Sequence, residues 1–79
     1  MTLPDINHIN KLIGYHLGIP DVRDNQRLQE DLGAESADLA NIVASLEEKY
    51  SIRVTESEIA MLYTPADIYD LLIKHLNAS

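Results

Sequence analysis

Residues 31–39 read Asp31-Leu32-Gly33-Ala34-Glu35-Ser36-Ala37-Asp38-Leu39 and place one hydroxyl at the junction of a loop and a predicted helix. Gly33 can adopt the positive φ that a tight turn requires. Because apolar residues begin to recur at helical spacing just after Ser36, we expect this serine at or beside the N-cap of the helix. A serine in that position is accessible, but without further context it is most often a purely structural cap.

Helical periodicity runs through the whole chain, and no segment shows the alternation typical of a strand. The spacing predicts a first helix over about residues 4–17, with Pro4 in its first turn and Asp5 favourable to the helix dipole. A second helix over about residues 36–50 follows a connection that is long for a compact domain, so this connection must be anchored or functional. The expected anchors are Ile19, Val22, Leu28 and Leu32.

The last third of the chain contains two helix-start signals. Thr55 and Glu58 fit a capping box, which predicts a short helix through about Met61. Residues 64–67, Thr-Pro-Ala-Asp, supply a cap, a first-position proline and an acid in the first turn of a final helix that reaches about Leu76. The prediction is therefore an all-α chain with three long helices and one short helix.

Composition limits the function classes. A chain of 79 residues forms one small domain, residues 1–79, with no room for a large enclosed active site. No apolar run is long enough for a membrane span, no signal-peptide pattern opens the sequence, and a cytoplasmic protein is the expectation. The sequence contains no cysteine, so any thioester chemistry must use an imported thiol.

The formal charge of −7 is concentrated in the middle of the chain. Residues 30–58 hold eight acids against Lys49 and Arg53, a net −6 in this segment. A field of one sign repels nucleic acid and attracts basic patches on partner proteins. The alternative is that these acids form only a solvated helix face, and charge alone does not decide between the two interpretations.

The segment from residue 31 to residue 50 resembles the acyl carrier protein family. The usual family pattern is Asp-Leu-Gly-x-Asp-Ser-Leu, followed by an acidic helix that ends in Leu-Glu-Glu, and the order of helices also agrees over essentially the whole chain. The matching residues are Asp31, Leu32, Gly33, Ser36, Asp38, Val43, Leu46, Glu47 and Glu48. The chain departs from the pattern at Glu35, Ala37, Asn41 and Ala44, where Asp, Leu, an acid and Met are common.

The resemblance implies a small four-helix bundle of acyl carrier protein type that carries groups and does not catalyse. In that family the serine, here Ser36, carries 4'-phosphopantetheine, attached from coenzyme A by a phosphopantetheinyl transferase. The arm then holds an acyl intermediate as a thioester. The pathway stays open between fatty acid, polyketide, aminoacyl or peptidyl and more specialised synthesis. The competing class is a cofactor-free acidic helical adaptor, because likeness of fold alone does not establish function.

The resemblance also implies a set of site residues on a monomer. Basic patches of the transferase and of acyl-transfer and chain-elongation enzymes would contact one stripe of the second helix. The candidate partner-binding residues are Glu35, Ala37, Asp38, Ala40, Asn41, Ala44, Glu47 and Glu48. The candidate lining of an acyl pocket is Leu39, Ile42, Leu46, Ile59, Leu62 and Ile68, all of which also suit an ordinary core. No metal site is expected, because the three histidines have no ligand partners at useful spacing.

Overall fold

Four helices form the fold of the computed structural model, which describes residues 4–78. They are α1 (Ile6–Leu17), α2 (Ser36–Tyr50), α3 (Glu56–Ile59) and α4 (Pro65–Ala78). The described residues contain no strand. The predicted order of three long helices and one short helix is confirmed, and the predicted bounds of the second helix agree with the structure.

The first helix begins two residues later than the sequence indicates. The carboxylate of Asp5 accepts a hydrogen bond from the backbone N–H of His8 at 3.1 Å, which makes Asp5 the N-cap and leaves Pro4 outside the helix. The placement of Pro4 in the first turn is therefore wrong, because a side chain that satisfies an otherwise unpaired N–H sets the helix start. The end is as predicted, with Gly18 in the left-handed region at φ 71°.

The two later helices begin where their capping signals predict. Thr55 Oγ1 accepts from the N–H of Glu58 at 3.2 Å, and the Glu58 carboxylate accepts from the N–H of Thr55 at 3.0 Å. At the start of α4, the N–H of Asp67 donates to Thr64 Oγ1 at 3.2 Å, and the Asp67 carboxylate accepts from the N–H of Thr64 at 3.0 Å. The ends differ slightly from the prediction, since α3 stops at Ile59 and α4 continues to Ala78.

Apolar faces of α1, α2 and α4 meet in one core, and burial of such side chains is the main stabilising contribution in a domain of this size. The buried apolar residues include Ile9, Ile13, Leu39, Ile42, Val43, Leu46, Ile68 and Leu72. The short helix α3 contains no buried residue and packs against α2. The fold therefore has a well-packed three-helix side and a thin edge formed by α3.

The long connection between α1 and α2 is anchored as predicted. Val22 and Leu28 are buried in the core, and Ile19 and Leu32 pack against it. Two backbone hydrogen bonds also join the connection to the start of α4: Leu28 N–H donates to the carbonyl of Tyr63 at 2.8 Å, and Ala66 N–H donates to the carbonyl of Asp24 at 3.0 Å. These contacts fix the part of the chain that delivers Ser36.

Candidate functional site

Ser36 is the first residue of α2, and its side chain is exposed. Gly33 takes a φ of 73°, and Ala34 is buried and donates its N–H to the carbonyl of Leu28 at 2.8 Å. The turn at Gly33 and the anchor at Ala34 therefore bring the chain out of the loop just before the helix begins. The structure places Ser36 beside the N-cap, as the sequence predicts.

Glu35 occupies the N-cap position itself, with extended backbone at φ −99° and ψ 168°. The carboxylate of Asp38 accepts a hydrogen bond from the N–H of Glu35 at 2.8 Å. Asp38 also lies in the first turn, where a negative charge interacts favourably with the helix dipole. The acids that flank Ser36 therefore stabilise the helix start and leave the serine hydroxyl free of that task.

An open cavity of about 590 Å³ lies beside Ser36, between the long connection, the first turn of α2 and the segment around α3. Its apolar lining comes from Leu39, Ile59 and Leu62, with Ala60 next to them. Leu39 and Leu62 belong to the buried core, and Ile59 packs against it. An exposed hydroxyl at the side of an apolar recess of this size is suited to a flexible arm that swings between solvent and the recess.

Three residues of the predicted acyl-pocket lining do not reach this cavity. Ile42, Leu46 and Ile68 are at most 5% exposed and belong to the closed core. Ile42 and Leu46 share the buried face of α2 with Leu39, and Ile68 lies on the buried face of α4, so spacing alone could not separate core positions from cavity positions. The observed cavity is shallower than the predicted set implies, and a role for these three residues in lining an acyl pocket stays a prediction.

The polar residues that line the cavity, apart from Ser36, were not predicted from the sequence. Arg27, Gln29 and Glu30 contribute from the long connection, and Tyr63 and Thr64 contribute from the segment before α4. Their approach depends on the backbone hydrogen bond between Leu28 and Tyr63, which joins segments distant in sequence. The only local signal was the spacing of Arg27 and Glu30, whose side chains pair at 2.6 Å.

The guanidinium of Arg27 and the carboxylate of Glu30 form an exposed ion pair at the cavity rim. The hydrogen bond that the Arg27 guanidinium donates to Glu30 is the main cause of the raised pKa of Arg27, with the charge of Glu30 next. The backbone N–H of Arg27 donates to the carboxylate of Asp31 at 2.8 Å. Two acids therefore contact Arg27 at this cavity, Glu30 at its side chain and Asp31 at its backbone N–H.

The predicted partner stripe of α2 is mostly open to solvent. Six of its members are exposed in the structure: Glu35, Ala37, Ala40, Asn41, Ala44 and Glu48. The other two, Asp38 and Glu47, are half-buried, and the carboxylate of Glu47 accepts from the N–H of Val54 at 3.0 Å. Glu47 therefore braces the connection between α2 and α3, and a role in partner binding stays a prediction for the whole stripe.

Two of the three histidines join helices through their rings, whereas the side chain of His8 is exposed. His16 Nε2 lies 3.1 Å from Ser45 Oγ and joins α1 to α2, while His75 Nε2 lies 2.9 Å from a carboxylate oxygen of Glu58 and joins α4 to α3. His8 contributes its backbone N–H to the cap of α1. Within residues 4–78, no group of three His, Cys, Asp or Glu side chains is arranged to hold a metal ion.

Comparison with known proteins identifies the family. The model described as "Phosphopantetheine attachment site" matches residues 9–72 of the chain. The acyl carrier protein of Chlamydia trachomatis serovar L2 is 32% identical over 79 residues, which cover 98% of this chain and 100% of that protein. The chain belongs to the acyl carrier protein family. The predicted family and its cofactor, 4'-phosphopantetheine, are confirmed.

Solved acyl carrier proteins share the fold. The acyl carrier protein from Thermotoga maritima superposes with a TM-score of 0.78 at 24% identity, over 92% of this chain and 87% of that one. The acetyl actinorhodin acyl carrier protein from Streptomyces coelicolor gives 0.78 at 24% identity, over 98% and 95%. The all-α four-helix prediction of acyl carrier protein type is therefore confirmed. None of the helices within residues 4–78 has the length and apolar character needed to cross a membrane.

Proposed function

We propose that this acyl carrier protein holds its cargo on a 4'-phosphopantetheine arm attached to the hydroxyl of Ser36. The observation that carries the proposal is the position of Ser36, which is exposed at the start of α2 and lines the same cavity as Leu39, Ile59 and Leu62. The apolar lining fits an acyl chain, and the exposed hydroxyl fits the point of attachment of the arm. When bound, the arm supplies the thiol that a chain without cysteine lacks.

The attachment chemistry needs only the hydroxyl of Ser36 from this chain. In the reaction with coenzyme A, the Ser36 oxygen forms a new bond to the phosphorus that bears the pantetheine, the pyrophosphate bond breaks, and the hydroxyl proton is lost. The adenosine 3',5'-bisphosphate portion leaves. Ser36 lies in the first turn of α2, where unpaired backbone N–H groups and the helix dipole favour a negatively charged phosphodiester.

The activation of Ser36 is assigned to the modifying enzyme. Nucleophilic serines are activated by a base within hydrogen-bond reach. In the part of the chain that the structure describes, no histidine or lysine side chain is hydrogen-bonded to Ser36. The two ring contacts of histidine go instead to Ser45 and Glu58. The proposal is therefore a carrier that acts as a substrate of other enzymes and has no catalytic activity of its own.

The partners that fit this surface have basic docking patches. The exposed acids Glu35 and Glu48 lie at the two ends of α2, on the helix that begins with Ser36. Complementary charge speeds encounter and selects orientation more than it raises affinity. We assign this surface to the phosphopantetheinyl transferase and to acyl-transfer and chain-elongation enzymes that meet a monomeric carrier in the cytoplasm. The acyl group and its pathway are left open by this proposal.

The test is modification in vitro of matched serine variants. Incubation with coenzyme A and a broad-range phosphopantetheinyl transferase should add one arm to the wild-type protein and to Ser57→Ala, and none to Ser36→Ala. Ser57 is the matched control because it is also exposed in the first turn of a helix, α3. Because Glu35 and Asp38 form the start of α2, Ser36→Ala should leave the circular dichroism spectrum and thermal melt nearly unchanged. An arm on Ser36→Ala, detected by mass spectrometry, would show that the attachment site lies elsewhere.

A further inference from the structure

Arg27 is the one basic side chain among the residues that line the cavity beside Ser36. Its Nη1 donates to a carboxylate oxygen of Glu30 at 2.6 Å. A guanidinium carries five N–H donors in a planar fork. No second acceptor for the Arg27 side chain occurs among residues 4–78, so most of its donors remain available at the cavity.

The surroundings of Ser36 are strongly acidic apart from this arginine. Glu35 and Asp38 flank the serine along the chain, and Glu30 and Asp31 lie on the connection that leads to it. A phosphodiester at Ser36 adds a further negative charge to this group, and like charges at short range repel. The first turn of α2 offsets part of this repulsion through its backbone N–H groups. A cation in the same cavity supplies a second, independent source of compensation.

We propose that Arg27 is an anion-binding residue of the cavity and donates to an anionic oxygen of the loaded arm. Two sources offer that chemistry: the phosphodiester at Ser36, and a carboxylate at the free end of a dicarboxylic acyl group. This inference rests on the proposed attachment at Ser36. Arginine suits both sources, because its planar fork can donate two parallel hydrogen bonds to a phosphate or to a carboxylate.

The pair with Glu30 does not prevent this role. The Arg27 and Glu30 side chains retain 64% and 67% of their exposure, and exposed ion pairs contribute little to stability. Arg27 can therefore bind a new anion either by leaving Glu30 or by using its remaining N–H groups. Glu30 then acts as a competitor that holds the guanidinium at the cavity when the arm is elsewhere.

Arg23 provides a matched control within the same connection. It is also an exposed arginine in an ion pair, with Asp21 at 3.6 Å, and its side chain is 74% exposed. Unlike Arg27, it does not line the cavity. An effect of general charge or of altered solubility would appear at both arginines, whereas a bound anion in the cavity would affect Arg27 alone.

The first measurement follows the side-chain Nε–H resonances of Arg27 and Arg23 by ¹⁵N NMR. Four forms are compared: the unmodified protein, the protein with the free-thiol arm, and the butyryl and succinyl forms made from the acyl-coenzyme A compounds. Mass spectrometry first establishes complete modification, and failure of modification would overturn the attachment proposal and this inference with it. We expect the Arg27 resonance to shift by several linewidths on loading, while the Arg23 resonance stays in place.

The four forms separate the two sources of anion. A shift already present with the free-thiol arm, and unchanged by either acyl group, assigns Arg27 to the phosphodiester. A shift that appears only with the succinyl form assigns it to the acyl carboxylate. If Arg27 stays in place in all fully modified forms, or if Arg23 shifts equally, the inference is wrong.

The second measurement uses variants and follows the loaded forms. If the phosphodiester is the ligand, the ³¹P resonance of the phosphodiester should shift in Arg27→Gln and should not shift in Arg23→Gln, relative to the loaded wild-type protein. If the carboxylate is the ligand, the same contrast should appear at a ¹³C-labelled succinyl carboxylate. Glu30→Gln removes the competitor and should enlarge the shift of Arg27 on loading. The inference would be contradicted if Arg27→Gln and Arg23→Gln gave the same ³¹P resonance and the same ¹³C carboxylate resonance.

Discussion

The side of the molecule formed by α1, α2 and α4 differs from the edge formed by α3 in how its residues are held. The three long helices share a core in which Ile13, Ile42 and Leu72 are at most 1% exposed. The four residues of α3 include none that is buried, and polar contacts of Glu58 with Thr55 and His75 hold this helix. A region with few buried apolar contacts opens at lower free-energy cost than the global unfolding of the domain. The cavity beside Ser36 lies next to the α3 edge, which requires less free energy to open.

The largest expected effect contrasts one isoleucine from each side. Ile42→Ala removes a fully buried side chain from α2 and should lower the free energy of unfolding by about 2–5 kcal/mol. Ile59→Ala removes a half-buried side chain from α3 and should cost roughly half as much or less, because less apolar area leaves water there on folding. Urea denaturation of both variants measures the contrast. Equal losses would mean that α3 is as integral to the core as α2.

A second prediction concerns acid and the α3 edge. The N–H of Thr55, ahead of the ring of His75 and the hydroxyl of Thr55, lowers the pKa of Glu58 below its ordinary value of 4.5. A carboxyl whose pKa is lower when folded adds stability that is present above the ordinary value and is lost as the pH falls through the folded value. The protection factors of the backbone amides of residues 55–59, which correct exchange rates for the intrinsic effect of pH, should therefore decrease below about pH 4.5.

Two variants sharpen this test. Glu58→Gln should lower the protection factors of residues 55–59 at neutral pH and remove their dependence on pH in the acid range. Glu56→Gln is the control, because Glu56 is an exposed acid of the same helix and its side chain is not part of the cap. Protection factors that fall in α1 and α2 at the same pH as in α3 would contradict a separately held edge.

A smaller effect is expected from salt. Several acids of residues 30–58 accept hydrogen bonds or form ion pairs, but Glu35, Glu48 and Glu56 remain exposed to solvent. Raising the ionic strength from very low values to 0.1 M shortens the Debye length to about 10 Å and weakens their mutual repulsion. We expect the melting temperature to rise by roughly 2–4 °C, which corresponds to about 0.5 kcal/mol. A flat or falling series of melts in sodium chloride would show that the acids are already compensated.

The smallest effect on the fold is expected on the partner stripe of α2. Ala37→Leu with Asn41→Glu restores an apolar side chain and an acid that are common in the family, at two positions exposed to solvent. Substitutions of this kind change stability by less than about 0.5 kcal/mol. If the departures mark dedicated partners, the double variant should be the better substrate of a generic fatty acid ketosynthase, since partner choice is a difference of affinities. Equal rates with fully acylated proteins would mean that the departures do not select partners.

The sequence predicts the helices well where a local signal sets the boundary. The caps at Thr55 and Thr64 and the glycine after Leu17 act within a few residues, so their consequences can be worked out from spacing. The start of α1 was misplaced because both Pro4 and Asp5 suit the first turn, and only the hydrogen bond between Asp5 and His8 decides between them.

The candidate site was only partly predictable. Ser36 and its loop follow from a local motif, and Leu39, Ile59 and Leu62 were expected at a pocket from the family resemblance. The separation of these cavity residues from Ile42 or Ile68 depends on how far each helix stands from its neighbour, which no local pattern encodes. The approach of Arg27 and Tyr63 to Ser36 likewise requires a backbone hydrogen bond between segments far apart in the chain.

The two hydrogen bonds that pin the long connection to the start of α4 also bear on the order of folding. They join residue 28 to residue 63 and residue 24 to residue 66, so each closes a large loop of chain. Each bond can form stably only when other contacts offset the entropy lost in closing that loop. During synthesis, the connection cannot be secured until Ala66 has left the ribosome. We therefore expect the recess beside Ser36 to take shape late, after the helices that frame it have formed, so that a partly made chain would be a poor substrate for the enzyme that loads it.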